Sequence, residues 1–280
     1  MRQIDTGTIS ELVATLCREA NLSLGPDLHQ ALARAAAEEE SPTGRACLNG
    51  LIENLAVARE QQIPICQDTG MAVIFVDYGQ EVTVSGGDFV AAINEGVRRG
   101  YQEGFLRKSV VATPFWRTNT GDNTPAVIHT RIVPGDRLTI TVAPKGFGSE
   151  NMSRLAMLTP AQGLAGAKEF IIDTVSKAGA NPCPPVVVGV GVGGTMELAA
   201  ELAKRALLRE IGSANPDPRY AQLEAELLAA INELGIGPQG LGGRCTALAV
   251  HIESYPTHIA GLPVAVNISC HVTRHQCGTI

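Results

Sequence analysis

Thirty of the 280 residues are glycine, while aromatic side chains make up only 4% of the chain. This pairing constrains the fold more than any single motif. With so few rings, the core has to be built from Val, Leu, Ile and Ala. With so many glycines, the backbone has to turn tightly or run close against a neighbour. Hydrophobic residues at 45% and charged residues at 18% describe a globular chain rather than a disordered one. At ~150 residues per domain the length allows one large domain or two small ones, with a core that needs no disulfide staples. We read residues 1–280 as one domain whose residues 1–60 form a helical part.

The charge balance excludes one function class. Lys and Arg total 22 against 28 Asp and Glu, a net charge of −6, where a nucleic-acid binder carries a basic footprint. The longest uncharged stretch, Ala178–Met196, is broken by three prolines and several glycines, so no membrane span is expected. Met1–Gly7 lacks an apolar signal core. Seven cysteines in a chain without an export signal imply a reducing, cytoplasmic setting with thiols, ligands or core residues rather than a disulfide framework.

Hydrophobic periodicity predicts helices first and a mixture afterwards. Thr8 and Glu11 have capping-box spacing, and Ile9, Leu12, Val13, Leu16, Cys17 and Ala20 share one helical face. Further helices are expected over Asp27–Glu40, around Leu48–Leu55, over Phe89–Tyr101 behind an Asp88 cap, from Thr159-Pro160 to Lys177, over Glu197–Leu208 and over Tyr220–Leu234. Strands are expected at Met71–Val76, Val186–Val190, Thr246–Ile252 and Leu262–Ile268. Ala126–Val133 and Arg137–Val142 alternate around Pro134-Gly135-Asp136, which reads as a β-hairpin. Residues 104–125 show no period, and Lys145–Asn151 reads as a glycine-rich loop. The fold class is α/β, mixed α+β: a helical N-terminal segment followed by a mixed sheet with packed helices.

Gly189, Gly191 and Gly194 spell G-x-G-x-x-G between a strand and a helix, the context of a dinucleotide fingerprint. The second strand with its acidic residue is missing, so a glycine turn packing helix against strand is the preferred reading over a nucleotide site. Cys270, His271, His275 and Cys277 form a local cluster without the spacing of a zinc module. A non-catalytic zinc-binding α/β protein is the different-class alternative. Cys17 and Cys47 sit on helical seams and read as core. Cys66, Cys183 and Cys270 instead lie at element boundaries beside Pro, Gly or Asn, 117 and 87 residues apart. Fixed turns at such places hold thiolates rigidly and expose backbone N–H groups to an anion. On spacing alone, Cys245 and Cys277 are equal rivals as ligands.

The segments around these cysteines are P-I-C-Q-D-T-G (64–70), L-R-K-S-V-V (106–111), N-T-G-D-N-T-P-A-V-I-H (119–129), K-G-F-G-S-E-N-M-S (145–153), N-P-C-P-P (181–185) and T-H-I-A-G-L-P-V-A-V-N-I-S-C-H (257–271). In this order they resemble the α subunit of the iron–sulfur class I fumarate hydratases and L-tartrate dehydratases. The resemblance runs from about residue 60 to the C-terminus. It implies a [4Fe–4S] cluster on Cys66, Cys183 and Cys270, substrate contacts from Gln67, Asp68, Arg107 and a backbone donor near Gly148, and reversible hydration of fumarate to malate. L-tartrate dehydration is the alternative within the class. Phe147 stands at a family glycine position, which reshapes that donor loop. The resemblance also implies a separate β subunit carrying the catalytic base, in an α2β2 assembly, so that this chain alone holds a cluster without turning over a dicarboxylate.

Overall fold

The structure is a computed structural model describing residues 1–280. In chain order the elements are β1 (Arg2–Asp5), α1 (Thr6–Leu22), α2 (Pro26–Glu38), α3 (Pro42–Gln61), β2 (Met71–Gly79), β3 (Val82–Ser85), α4 (Phe89–Glu103), β4 (Val127–Val133) and β5 (Leu138–Lys145). There follow α5 (Phe147–Glu150), β6 (Arg154–Leu158), α6 (Gly163–Ala178), β7 (Val186–Gly193), α7 (Met196–Ala206), α8 (Pro218–Asn232), β8 (Ala247–Tyr255), β9 (Leu262–Ser269) and β10 (Gln276–Thr279). The class is mixed α/β, as expected. No helix is long and apolar enough to cross a membrane.

The chain forms two compact units: residues 1–24, 55–147 and 274–280 make the first, and residues 25–54 and 148–273 the second. The first carries a four-stranded sheet in the order β10-β5-β2-β4 and a small parallel pair, β1-β3. Ile9, Val13, Leu16 and Cys17 of α1 pack with Val97 and Tyr101 of α4 and with Ile74, Val76, Ile140 and Val142 of the sheet. Two glycines allow the helices this close. A Cβ on Gly96 would lie 2.6 Å from the Ser10 carbonyl oxygen, and one on Gly100 would lie 2.7 Å from that of Ala14. The second unit has a four-stranded sheet, β6-β9-β7-β8. Its core gathers Ile171 and Val175 of α6, Leu227 and Ile231 of α8, and Val188, Val250, Ile252 and Val266 of the strands.

Four local readings change, the first being the Lys145–Asn151 loop, which contains the short helix α5. The strands at 127–133 and 138–145 do not form a hairpin, because β2 lies between them, parallel to β4 and antiparallel to β5. Pro134-Gly135-Asp136 therefore crosses the end of β2. The Gly79, Gln80 and Glu81 N–H groups donate to the Arg137, Val133 and Gly135 carbonyls at 2.9, 2.9 and 3.0 Å. Alternation reports which face of a strand is buried, not which strand is its neighbour. The cap of α1 is Asp5, whose carboxylate accepts the Gly7 N–H, in place of the expected Thr8–Glu11 box. α6 begins at Gly163 rather than at Pro160, and Gln162 Oε1 accepts the Thr159 N–H across the intervening turn.

The glycine fingerprint on β7 is a packing device, as preferred. A Cβ on Gly189 would sit 2.1 Å from the Ala203 carbonyl oxygen, and one on Gly191 would sit 2.0 Å from that of Ala199. The bare faces of these residues are covered by α7, whose Ala199 and Ala203 are buried against the strand.

Candidate active site

In the first unit, Pro64–Gly70 leads from α3 into β2, and its geometry is fixed from many sides. The Asp68 N–H donates to Cys66 Sγ at 3.4 Å. The Asp68 carboxylate accepts the Gly70 N–H at 3.0 Å through Oδ1 and the Phe147 N–H at 2.9 Å through Oδ2. The Asp68 carbonyl accepts Nη2 of Arg274. Every polar group of Asp68 is thus engaged. The fully buried Tyr101 hydroxyl reaches the Thr69 carbonyl at 2.9 Å and the Gly70 carbonyl at 3.0 Å. The Gly70 carbonyl also accepts Nδ2 of buried Asn123 at 3.2 Å. Gly70 itself has φ 77°, and a Cβ there would strike the Lys145 backbone at 2.8 Å. The turn requires glycine on both counts.

Thr69 ties the turn to the 106–111 segment. Its Oγ1 accepts the Arg107 N–H at 2.9 Å and donates to the Arg107 carbonyl at 3.2 Å. This anchors the Arg107 backbone, while its exposed side chain makes no hydrogen bond or ion pair within the chain. Gln67 is exposed as well. A cation and an amide without intramolecular partners, on an anchored backbone, are suited to meeting a carboxylate ligand.

In the second unit, Cys183 is exposed and adopts φ 55°, the left-handed region that favours glycine. Such a conformation persists where its surroundings over-determine it. Here the Cys183 N–H donates to the Ala180 carbonyl at 3.0 Å. Its own carbonyl accepts the backbone N–H of His271 at 3.4 Å and Nδ1 of the same residue at 3.0 Å. The same Nδ1 also lies 3.3 Å from Nε2 of Gln239. Gln239 completes the clamp, donating through its backbone N–H and its Nε2 to the Pro184 carbonyl at 2.8 and 2.7 Å. His271 follows Cys270 directly, so the structure brings the Cys183 and Cys270 loops together. Gly148 is exposed in α5, with the Asn181 carbonyl oxygen 3.7 Å from where its Cβ would be.

The rival cysteines separate by chemistry. Burial, followed by the charges of Glu39 and Glu38, pushes the Cys245 thiol up to about 12, and burial pushes Cys17 to about 12. Neither supplies a ready thiolate. Cys277 is exposed on β10, opposite Thr141 of β5. No three His, Cys, Asp or Glu side chains form a site for a single metal ion, so the zinc alternative at 270–277 gains no support. A polynuclear cluster makes a different demand: each thiolate binds its own iron, and the ligands need not share one coordination sphere. Cysteine sulfur is the donor chemistry such a group requires. Cys66 Sγ already accepts a backbone N–H, and Cys183 and Cys270 sit on clamped, accessible loops.

Sequence reasoning missed Tyr101, Asn123, His271 and Gln239 as supports of the site. For Asn123 a signal existed, since Asn tolerates its φ of 65° and the N-T-G-D-N-T-P segment is dense in turn formers. Tyr101 gave no signal beyond its place on a helix.

The family model described as fumarate hydratase (Fumerase) matches residues 10–279. The chain belongs to the fumarate hydratase family. A protein of Methanocaldococcus jannaschii, provisionally named L(+)-tartrate dehydratase subunit alpha, is 44% identical over 271 residues, covering 95% of each chain. The L(+)-tartrate dehydratase subunit alpha of Escherichia coli K12 is 33% identical over 283 residues, covering all of this chain and 92% of its own length. The protein of the same name from Shigella boydii matches to the same extent.

Proposed function

We propose that this chain is the α subunit of a cytoplasmic hydro-lyase that adds water reversibly to fumarate, giving malate. The observation that carries this reading is the 66–70 turn: a cysteine sulfur on a backbone N–H, locked in place, beside an arginine whose side chain has no intramolecular partner. Family membership and the ordered motif segments support it.

In this reading Cys66, Cys183 and Cys270 hold a [4Fe–4S] cluster. When bound, that group supplies Lewis-acid chemistry at an iron left without a protein ligand. The chain's own residues bind and orient the substrate. Arg107 offers a planar fork to one carboxylate, and the exposed Gln67 amide hydrogen-bonds to the same molecule. Asp68 keeps an unused lone pair on each carboxylate oxygen for a substrate donor while its N–H contacts fix its orientation. Gly148 presents its backbone to the substrate. A β subunit supplies the base that moves the carbon-bound proton, and two αβ pairs make up the enzyme.

A second reading, dehydration of L-tartrate, is favoured by the names of the relatives from M. jannaschii and E. coli. The hydroxy acids of the two readings, malate and L-tartrate, differ by one hydroxyl, which a tolerant pocket need not reject. The test is anaerobic co-production with the partner subunit, then side-by-side assays on fumarate and L-tartrate. C183S is expected to lose iron and both activities together. A C183S enzyme that keeps its iron removes this residue from the ligand set, and turnover by the purified α chain alone refutes the two-subunit reading.

A further inference from the structure

Arg274 is 7% exposed and forms no ion pair. Its single hydrogen bond runs from Nη2 to the Asp68 carbonyl, and its buried Nε has no partner. A permanently charged guanidinium in such a place is costly unless negative charge lies near it. Burial argues against a substrate that comes and goes. The contact points instead to the turn it grips: one peptide group of Asp68 takes the arginine, and the other end of the same residue gives its N–H to Cys66 Sγ.

We infer that Arg274 is a positioning residue with a fixed counter-charge, holding the Cys66–Asp68 turn and offsetting the negative charge that a thiolate-bound cluster brings to Cys66. The inference rests on the proposed function. It assigns a role to a residue beyond the substrate contacts and the cysteine ligands. Arg274 acts through Asp68, so it influences the bound group and the mobility of the turn. Lysine keeps the charge without the planar fork, and glutamine keeps a donor without the charge. The pair therefore separates electrostatics from geometry.

The experiment uses the full chain, reconstituted anaerobically with ferrous iron and sulfide, as wild type, R274K and R274Q. In R274Q the reduced-to-oxidised ratio of the cluster at a fixed potential is expected to fall about tenfold, or ~59 mV for one electron. R274K should stay near wild type. In the metal-free chain, amide hydrogen exchange at Thr69 and Gly70 should quicken in R274Q, because the Asp68 carbonyl loses its charged donor. An unchanged potential in R274Q, or an equal shift in R274K, overturns the counter-charge role. Unchanged exchange in the metal-free R274Q overturns the positioning role. A wild-type chain that takes up no iron and sulfide refutes the proposed function instead, and the exchange measurement still decides whether Arg274 holds the turn.

Discussion

The carbonyls of Thr69 and Gly70 are the mechanical base of the proposed ligand turn, and the perturbation that isolates them is a double-mutant cycle at Tyr101 and Asn123. Y101F removes only the hydroxyl and keeps the ring in its place between α1 and the sheet. The Thr69 carbonyl then loses its donor at 2.9 Å, while the Gly70 carbonyl keeps Asn123 at 3.2 Å. An acceptor stranded in a dry interior costs about 1–3 kcal/mol. N123A removes the other donor to Gly70. It also removes the acceptor of the Ser109 N–H at 2.7 Å and places alanine at φ 65°, a strain of about 1–3 kcal/mol. Both extra losses occur equally in the single and double mutants, so the cycle cancels them. What remains is the shared acceptor. Either single mutant leaves the Gly70 carbonyl one donor, whereas the double mutant leaves none. The double mutant should therefore be less stable than the sum of the singles, by about 1 kcal/mol within the range seen for groups in one network. Urea unfolding of the metal-free chain measures this, provided the m-value is unchanged across the four proteins. Strict additivity, within about 0.3 kcal/mol, would mean that the two donors do not share the carbonyl and that the turn is not clamped as described.

Two further outcomes test the scaffold. G191A should destabilise the chain by about 3 kcal/mol or more, since a Cβ 2.0 Å from the Ala199 carbonyl forces α7 off β7; a stable G191A that loses only nucleotide binding would revive the fingerprint reading. His251 is held neutral, its pKa lowered from 6.5 chiefly by burial and then by Arg209. The unfolded chain therefore binds the extra proton first, and stability should be full above about pH 6.5 and fall as the pH drops below it. Urea midpoints between about pH 7 and pH 5 should show this decline in the wild type and a flatter one in H251Q; parallel slopes would exclude His251 as the cause.

Much of the fold was legible because its signals are local. The apolar stripe of α1 survives as Ile9, Val13, Leu16 and Cys17 in the core, and Asp88 caps α4 by accepting the Ala91 N–H at 2.7 Å. What misled was neighbour choice. Nothing in the alternation of 126–142 says that β2 is inserted between the two strands, since that pairing depends on residues some fifty positions away. The edge strands β1, β3, β6 and β10 were missed for a related reason: they are 4, 4, 5 and 4 residues long, too short for a period to register.

The candidate site divides in the same way. The turns that carry the proposed ligands announced themselves, because unusual backbone needs unusual residues: glycine at φ 77° in position 70, and prolines around a cysteine at φ 55°. Their supports carry no such mark. Tyr101 approaches from a helix, Asn123 from an irregular loop and Arg274 from the C-terminal segment, each using a side chain that is common on any surface. Only burial distinguishes them, at 0%, 0% and 7% exposure. Burial is a property of the folded chain, whereas a motif is a property of the sequence. The supporting shell is therefore where substitutions should alter function without touching a recognisable motif. A turn held at once by three segments distant in sequence also cannot form before the first unit has folded, which makes its readiness for a ligand a consequence of the whole core rather than of the seven residues that spell it.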